Sequence, residues 1–330
     1  MQISETLKQL LGLLADGKFH SGTELSGALG ISRSAIWKQL HALSELGVEL
    51  TAVPGKGYKL PQPMQLLDRN LIYRHLSPQA GKLLRHLEIH DVIDSTNSYL
   101  LELAGKNRGS GVICLAEYQT AGKGRRGRLW VSPFGHNIYL SILWRYQDGP
   151  AVIAGLSLVL GVAVVRALHQ LGLTGLGLKW PNDIYLRQRK LAGILVEVSG
   201  ESGGPCHAVI GLGLNFYLPA RQAETIDQPW IDIGGVLGGE AYGRRNELIA
   251  LLLNQLLPVI ADYEPGILQN YADEWRSYDC MLGKPVILYL GQQYLEGTVA
   301  GIDDNGLLLL QGNDGSVRAY ASGEVSFRTS

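Results

Sequence analysis

The chain has 330 residues, too many for one ordinary hydrophobic core, so two or three domains are expected. With 46% hydrophobic and 18% charged residues it is not a disordered chain, and a formal net charge of -1 excludes a global basic field for nucleic acid. Three widely spaced cysteines, Cys114, Cys206 and Cys280, argue against a disulfide framework or a zinc site and for a reducing compartment, the cytoplasm.

The first ten residues, MQISETLKQL, lack a basic region followed by an apolar run, so no signal peptide is expected. Leu7, Leu10, Leu11 and Leu14 recur at helical spacing. Ser21 and Glu24 have capping-box spacing and start a second helix with Leu25, Ala28 and Leu29 on its apolar side; Gly30 ends it. Ser32 caps a third helix whose buried stripe is Ile36, Leu40 and Leu43, and Gly47 closes it. The run VELTAVPGKGYKL then reads as strand, tight turn, strand. Together these spell a winged helix-turn-helix over residues 1–62. Ser32, Arg33, Ser34, Trp37 and Lys38 lie off the apolar stripe, where a recognition helix meets bases and phosphates, and Lys56 and Lys59 sit in the wing. Residues 1–60 carry six Lys/Arg against five Asp/Glu, so the pattern alone leaves DNA binding and protein contact both open.

Pro61 and Pro63 mark a boundary. Residues 66–281 alternate helical runs with β-rich runs such as GVICLAEYQ, NIYLSILWR, KLAGILVEV and HAVIGLGLNF, an α+β pattern with a mixed or antiparallel sheet. The apolar stretch 151–165 is shorter than the ~20 residues of a membrane span and reads as a buried core helix with Pro150 near its first turn. From 282 to 330, short strands separated by Gly, Asn and Asp turns read as a small SH3-like β-barrel.

Three segments carry possible chemistry. Gly122 to Arg128, GKGRRGR, matches G-x-G-x-x-G but runs into LWVSPFGHN rather than a helix, which excludes a dinucleotide fold, and no Gly-Lys-Ser/Thr closes a P-loop. Glycines that permit close backbone approach, interleaved with Lys123, Arg125, Arg126 and Arg128, suit an anion-binding loop, against a solvated basic hairpin or a second nucleic-acid contact. Lys179-Trp-Pro-Asn-Asp183 reads either as a plain turn or as a cation, an amide and a carboxylate for phosphate and Mg²⁺. Lys190 opens an apolar strand, facing either solvent or a pocket. Ser95, Thr96 and Asn97 combine a helix N-cap with a polar pocket edge to which Gln119 adds.

Taken in order, Ser95-Thr96-Asn97, Glu117-Tyr-Gln119, GKGRRGRLW, SPFG, KWPNDIYL, RKLAGILVE and GLGLN resemble the bacterial bifunctional biotin–protein ligase and biotin-operon repressor family of BirA type. The resemblance covers nearly the whole chain, SRSAIWKQL, VPGKGYKL and the C-terminal barrel included. It implies that biotin and ATP are substrates, with Mg²⁺ and no tightly bound prosthetic group. Biotinyl-5′-AMP would form first, and biotin would then pass to a lysine of a biotin carboxyl carrier protein. It implies that Ser95, Thr96, Asn97, Gln119, Lys123, Gly124, Arg125 and Lys190 meet biotin. The adenylate side would fall to Gly122, Lys123, Arg125, Arg128, Trp130, Lys179, Asn182, Asn215 and Trp230. Lys190, Arg125 and Asp183 would be catalytic, with Asp183 reaching Mg²⁺ through the phosphates. No covalent enzyme intermediate is required, so catalysis rests on positioning and charge stabilisation.

The resemblance also implies operator DNA as a partner, biotinyl-5′-AMP as corepressor of biotin-biosynthesis genes, a ligand-promoted homodimer and no membrane. One departure stands out: the loop's second position is usually arginine in this family, and here it is Lys123, which keeps the charge but loses the bidentate fork. The competing readings are a lipoate–protein ligase, a ligase whose winged helix no longer regulates, and a ligand-sensing transcription factor without ligase activity. The joint presence of Arg125, Arg128, Asp183 and Lys190 speaks against the last.

Overall fold

A computed structural model describes residues 2–106, 108–200 and 204–327. Helices α1 (Glu5–Leu14), α2 (Gly22–Leu29) and α3 (Arg33–Glu45) begin where the capping residues lie: Ser4, Ser21 and Ser32 accept from the amides of Leu7, Glu24 and Ala35. Leu7, Leu10, Leu11, Leu14, Leu25, Ile36, Leu40 and Leu43 are buried together, as their spacing predicts. Strands β1 (Thr51–Val53) and β2 (Gly57–Lys59) form an antiparallel wing. Tyr58 and His20 exchange two main-chain hydrogen bonds of 2.9 Å, which pin the wing to the start of α2.

The second unit contains α4 (Arg69–Arg74), α5 (Pro78–Leu83), β3 (His86–Ile93), α6 (Thr96–Gly105), β4 (Val112–Gln119), β5 (Ile138–Tyr146), α7 (Leu156–Gln170), β6 (Leu176–Lys179), β7 (Asp183–Leu186), β8 (Arg189–Gly200), β9 (Cys206–Leu214), α8 (Ile233–Leu237), α9 (Arg245–Ala261) and α10 (Gln269–Ser277). Its sheet runs β3-β4-β5-β9-β8-β7-β6, parallel between β3 and β4 and antiparallel elsewhere. Alternation along the strands sorts the two faces. Leu140, Ile142, Ile210 and Leu212 meet Leu160 and Val164 of α7 and Leu256 of α9. Leu143 and Val209 point the other way and pack with Leu100 and Ala104 of α6.

The apolar stretch 151–165 is not one helix. A 3-10 turn covers Pro150–Ile153, and α7 starts only after Gly155, whose φ is +81°. A Cβ at Gly155 would lie 2.8 Å from Leu268 Cδ2, so only glycine fits this left-handed break. The buried helix is therefore shifted, with Leu156 to Val165 forming its apolar half. Among the described residues no helix is long and apolar enough to cross a membrane.

The third unit is a five-stranded antiparallel sheet, ordered β13-β12-β11-β10-β14, from β10 (Pro285–Leu290), β11 (Gln293–Ile302), β12 (Leu308–Gln311), β13 (Val317–Tyr320) and β14 (Glu324–Phe327). Its Val286, Leu288, Val299, Leu308, Leu310 and Val325 belong to the same continuous core as the central sheet, and Trp180 Nε1 donates to Gly306 O across the joint (3.0 Å). The two sheets share one core, whereas the helical N-terminal unit has its own, entered from the central unit by the buried ring of Phe134.

Candidate functional site

An open cleft of about 1300 Å³, its solvent-filled mouth included, lies on the α6 face of the central sheet and is walled by the third unit. Its floor is built by cross-strand pairing: Tyr139 opposite Gly213, Ser141 opposite Gly211, and Gly193 and Leu195 opposite Gly213 and Gly211. Two glycines are there for contact rather than flexibility. A Cβ at Gly213 would fall 2.4 Å from the Trp130 ring, and one at Gly211 would fall 2.3 Å from Asn97 Oδ1. Trp130 and Asn97 therefore lie flat against β9.

One end of the cleft is a buried polar chain. Ser95 caps α6, and Thr96 gives both its amide and its hydroxyl to Gln119 Oε1 (2.9 and 3.1 Å). Gln119 Nε2 donates to Ser132 Oγ (3.1 Å), which donates to Trp130 O (2.8 Å). Ser141 Oγ stands 2.7 Å from Thr96 Oγ1 and 2.6 Å from Asn97 Oδ1. These groups present a preformed set of donors and acceptors for a neutral polar ligand.

The Gly/Arg segment forms a hairpin over the cleft. Trp130 N bonds to Gly122 O (2.9 Å), Gly124 N to Arg128 O (2.7 Å), and a 3-10 turn at Arg125–Gly127 makes the tip. Arg126 adopts φ +56° within it, an uncommon conformation for a residue with a Cβ. The cations are distributed rather than clustered. Arg125 donates to Asn182 Oδ1 (3.0 Å) and Gly323 O (3.3 Å), and burial lowers its pKa. Arg126 and Arg128 pair with Glu324, and Lys123 approaches Glu197 at 3.8 Å.

The KWPND segment is the β6–β7 turn, with a cis bond between Trp180 and Pro181, so turn and site readings coincide. Asn182 is fixed by its side-chain bond to Ile194 O (2.7 Å). Asp183 opens β7 opposite Gly193, and its Oδ1 lies 2.9 Å from Lys190 Nζ, a cation held over the Trp130 ring at 5.6 Å. Lys179 lines the same wall, donating to Tyr185 OH (3.2 Å) above the rings of Tyr185 and Phe327; burial lowers its pKa, opposed in part by Asp183. Among the described residues no group of three or more His, Cys, Asp or Glu is placed to hold a metal ion. Of the acids that line the cleft, Asp183 is the one beside Lys190, and Mg²⁺ carried on substrate phosphates would draw most of its ligands from them.

The cleft thus gathers Ser95, Thr96, Asn97, Gln119, Lys123, Gly124, Arg125, Arg128, Trp130, Lys179, Asn182, Asp183 and Lys190. Gly122 sits just behind, where a Cβ would lie 2.5 Å from Trp130 O. Asn215 and Trp230 do not line it. The buried Asn215 amide reaches Lys190 O (3.5 Å) and Ile231 O (3.3 Å), and Trp230 runs alongside Lys190 through Pro229 and Ile231 backbone bonds. Both support the main chain beneath Lys190, because strand pairing places the segment after β9 against the start of β8. The sequence reading missed Ser141, Asp227, Gln228 and Glu324, which also line the cleft. Alternating glycines in GLGLN were the available signal for the floor; Glu324 comes from a separate sheet and carried none.

On α3, far from the cleft in the chain, Arg33, Ser34, Trp37 and Lys38 are exposed. Trp37 is 61% exposed and stacked with His41 (centroids 5.8 Å apart). The Ser32 hydroxyl is engaged as the helix cap, and Lys56 and Lys59 lie over the Phe19 ring beside the wing.

A profile described as the biotin/lipoate A/B protein ligase family matches residues 89–215, an HTH domain profile matches 6–59, and a biotin protein ligase C-terminal domain profile matches 281–328. The chain is 44% identical over 322 residues to the bifunctional ligase/repressor BirA of Salmonella typhimurium, covering 97% of both chains. Against the protein of the same name from Escherichia coli the identity is 43%, again with 97% of each chain covered. Among solved structures, the biotin protein ligase from Aquifex aeolicus in complex with biotin and ATP superposes with a TM-score of 0.63 at 28% identity, over 75% of this chain and 100% of that one.

Proposed function

From the premise that the chain belongs to the biotin/lipoate A/B protein ligase family, as a bifunctional biotin–protein ligase and repressor, we propose how its cleft divides the work. Biotin and ATP are the substrates. A biotin carboxylate oxygen attacks the α-phosphorus of ATP, the bond to the β-phosphate oxygen breaks, and biotinyl-5′-AMP and pyrophosphate form. The ε-amine of a carrier-protein lysine then attacks the acyl carbon, AMP leaves, and the amine loses a proton to give the amide.

The observation that carries the assignment is the convergence of four segments distant in sequence, around residues 95–97, 122–130, 179–183 and 190, on one cleft. Thr96, Gln119 and Ser95 offer the polar end to the ureido ring. Lys190 exchanges its Asp183 partner for the biotin carboxylate and α-phosphate oxygens, where charge builds in the transition state. Arg125 and Arg128 take phosphate oxygens, Gly122 and Gly124 let the hairpin backbone close over the nucleotide, and Trp130 packs against it. Lys179 and Asn182 face the leaving pyrophosphate. Mg²⁺, when bound, neutralises phosphate charge, with Asp183 its protein ligand.

We place the DNA contact on Ser32, Arg33, Ser34, Trp37 and Lys38 of α3 and on Lys56 of the wing, and the domain divisions at 62/66 and 281/282. The second division separates two sheets that share a core. A ligand-promoted dimer is supported by the open edge of β8, which pairs with β7 only as far as Gly193 and exposes Val198 beyond it. The biotin carboxyl carrier protein would compete for the same edge, coupling supply of substrate to repression. Free Cys114, Cys206 and Cys280 suit the cytoplasm.

Biotin-dependent exchange of labelled pyrophosphate into ATP, run with biotin, with lipoate and with Lys190→Ala, tests the ligase assignment. Exchange with biotin alone, reduced ~100–1000-fold in the variant, is expected. No exchange with either acid would sink it and favour a ligand-sensing transcription factor.

A further inference from the structure

Asn97 lines the cleft, yet both ends of its amide are already occupied. Its Oδ1 faces Ser141 Oγ at 2.6 Å, and its Nδ2 donates to Glu197 Oε2 at 2.9 Å. Gly211 leaves no Cβ above it, so the side chain lies flat on β9 and has one orientation. Asn97 is 4% exposed, and its Nδ2 also reaches Leu195 O at 3.5 Å, so both of its N–H groups are used within the protein, whereas Gln119 Nε2 spends only one, on Ser132. What it does is orient a carboxylate.

Glu197 lies on β8 on the same face as Gly193 and Leu195, the strand's contribution to the cleft floor. With Oε2 held by Asn97, Oε1 points to Lys123 Nζ at 3.8 Å. Lys123 stands at the base of the Gly/Arg hairpin, where it is bridged to Leu129. Arg126 and Arg128, towards the tip, are held instead by Glu324 of the third unit. The hairpin is thus anchored by two carboxylates at opposite ends. Phosphate oxygens bound by the tip arginines compete with Glu324. They do not compete with Glu197, which lies on the floor side at the base.

We propose that Glu197, oriented by Asn97, is a positioning residue that tethers the base of the ligand loop through Lys123 and so slows escape of biotinyl-5′-AMP. This rests on the ligase assignment above. It also gives the lysine at the loop's second position a role: a point charge suffices for a single-carboxylate tether, and the bidentate fork of arginine is not needed. The Lys123 side chain then serves the loop, and any ligand contact at this position is made by its main chain.

The test uses the full-length protein loaded with labelled biotin and ATP, chased with unlabelled biotin, at a concentration where all variants sediment as one species. Glu197→Gln keeps an acceptor for Asn97 and removes the charge facing Lys123, so folding is preserved. The tether predicts release faster by ~2–5-fold, as for a partly exposed ion pair. Lys123→Met should do the same, and the double variant should be no faster than either single one. Added salt should speed release in the parent more than in Glu197→Gln. Unchanged release in Glu197→Gln, or single effects that multiply in the double variant, would overturn the tether while pyrophosphate exchange by the parent still upheld the ligase. Absence of exchange in the parent would remove both.

Discussion

Replacing Arg245 by Met should loosen the joint between the linker and the ligase unit at a cost readable in stability. Arg245 is 1% exposed and spends its guanidinium on three partners. Nη1 donates to Glu117 Oε2 (2.6 Å) and Gln65 O (3.1 Å), while Nε and Nη2 both donate to Asn137 O (3.0 and 2.7 Å). Methionine fills similar space but strands the Glu117 carboxylate, whose remaining partner is the Leu67 amide. Breaking a buried ion pair from one side costs about 3–5 kcal/mol, a large part of the 5–15 kcal/mol typical of a domain. Adding Glu117→Gln removes the stranded charge, so the double variant should regain at least half of the loss. Urea denaturation followed by tryptophan fluorescence measures both. Limited proteolysis within residues 61–68 should rise only slightly, because Gln65 O loses its donor while the Gln65 side chain keeps Gly243 O and Asn246 N. A single variant that loses less than about 1 kcal/mol, or a double variant as unstable as the single, would refute the argument that charge desolvation governs this joint.

Gly213→Ala must push the Trp130 ring aside, since β9 is held on both edges by β5 and β8. Overpacking of this kind costs about 1–3 kcal/mol of folding stability, read in urea denaturation, and the displaced ring should weaken adenylate binding in titration calorimetry; an unchanged affinity would show that the ring is free to move. Burial pulls His136 down to about 4 from 6.5. The folded state therefore disfavours the charged imidazole, and stability present above pH 6.5 is lost as pH falls from 6.5 towards 4, by up to about 3 kcal/mol. His136→Gln should flatten the denaturation profile across that window; an identical slope would assign the acid sensitivity elsewhere. Lys56→Ala should weaken operator and random DNA alike and reduce the slope of log affinity against log salt by about 1, whereas an effect confined to the operator would place Lys56 on a base rather than a phosphate.

How much of this was legible depended on how local the cause was. Ser21 and Ser32 cap their helices through bonds three residues long, and the winged unit follows from such rules almost completely. The break at Gly155 was not legible, because the side chain that leaves no room for a Cβ there, Leu268, lies more than a hundred residues away. The same holds for the site. GKGRRGR, KWPND and Lys190 announce their chemistry by residue type. Which of their neighbours touch ligand and which hold the main chain is set by strand pairing: Asn215 and Trp230 fall behind Lys190, and Asn97 turns its amide to Glu197 rather than into the cleft. The third unit illustrates the limit. Glu324 looks like an ordinary surface acid in sequence, yet it neutralises Arg126 and Arg128 of a loop almost two hundred residues earlier. Since an anionic ligand must draw those arginines away, the resting loop is held by contacts that ligand binding exchanges rather than adds. Affinity for the adenylate is therefore a difference between two sets of ion pairs, and substitutions in the C-terminal sheet should register in ligand binding although they lie outside the catalytic sheet.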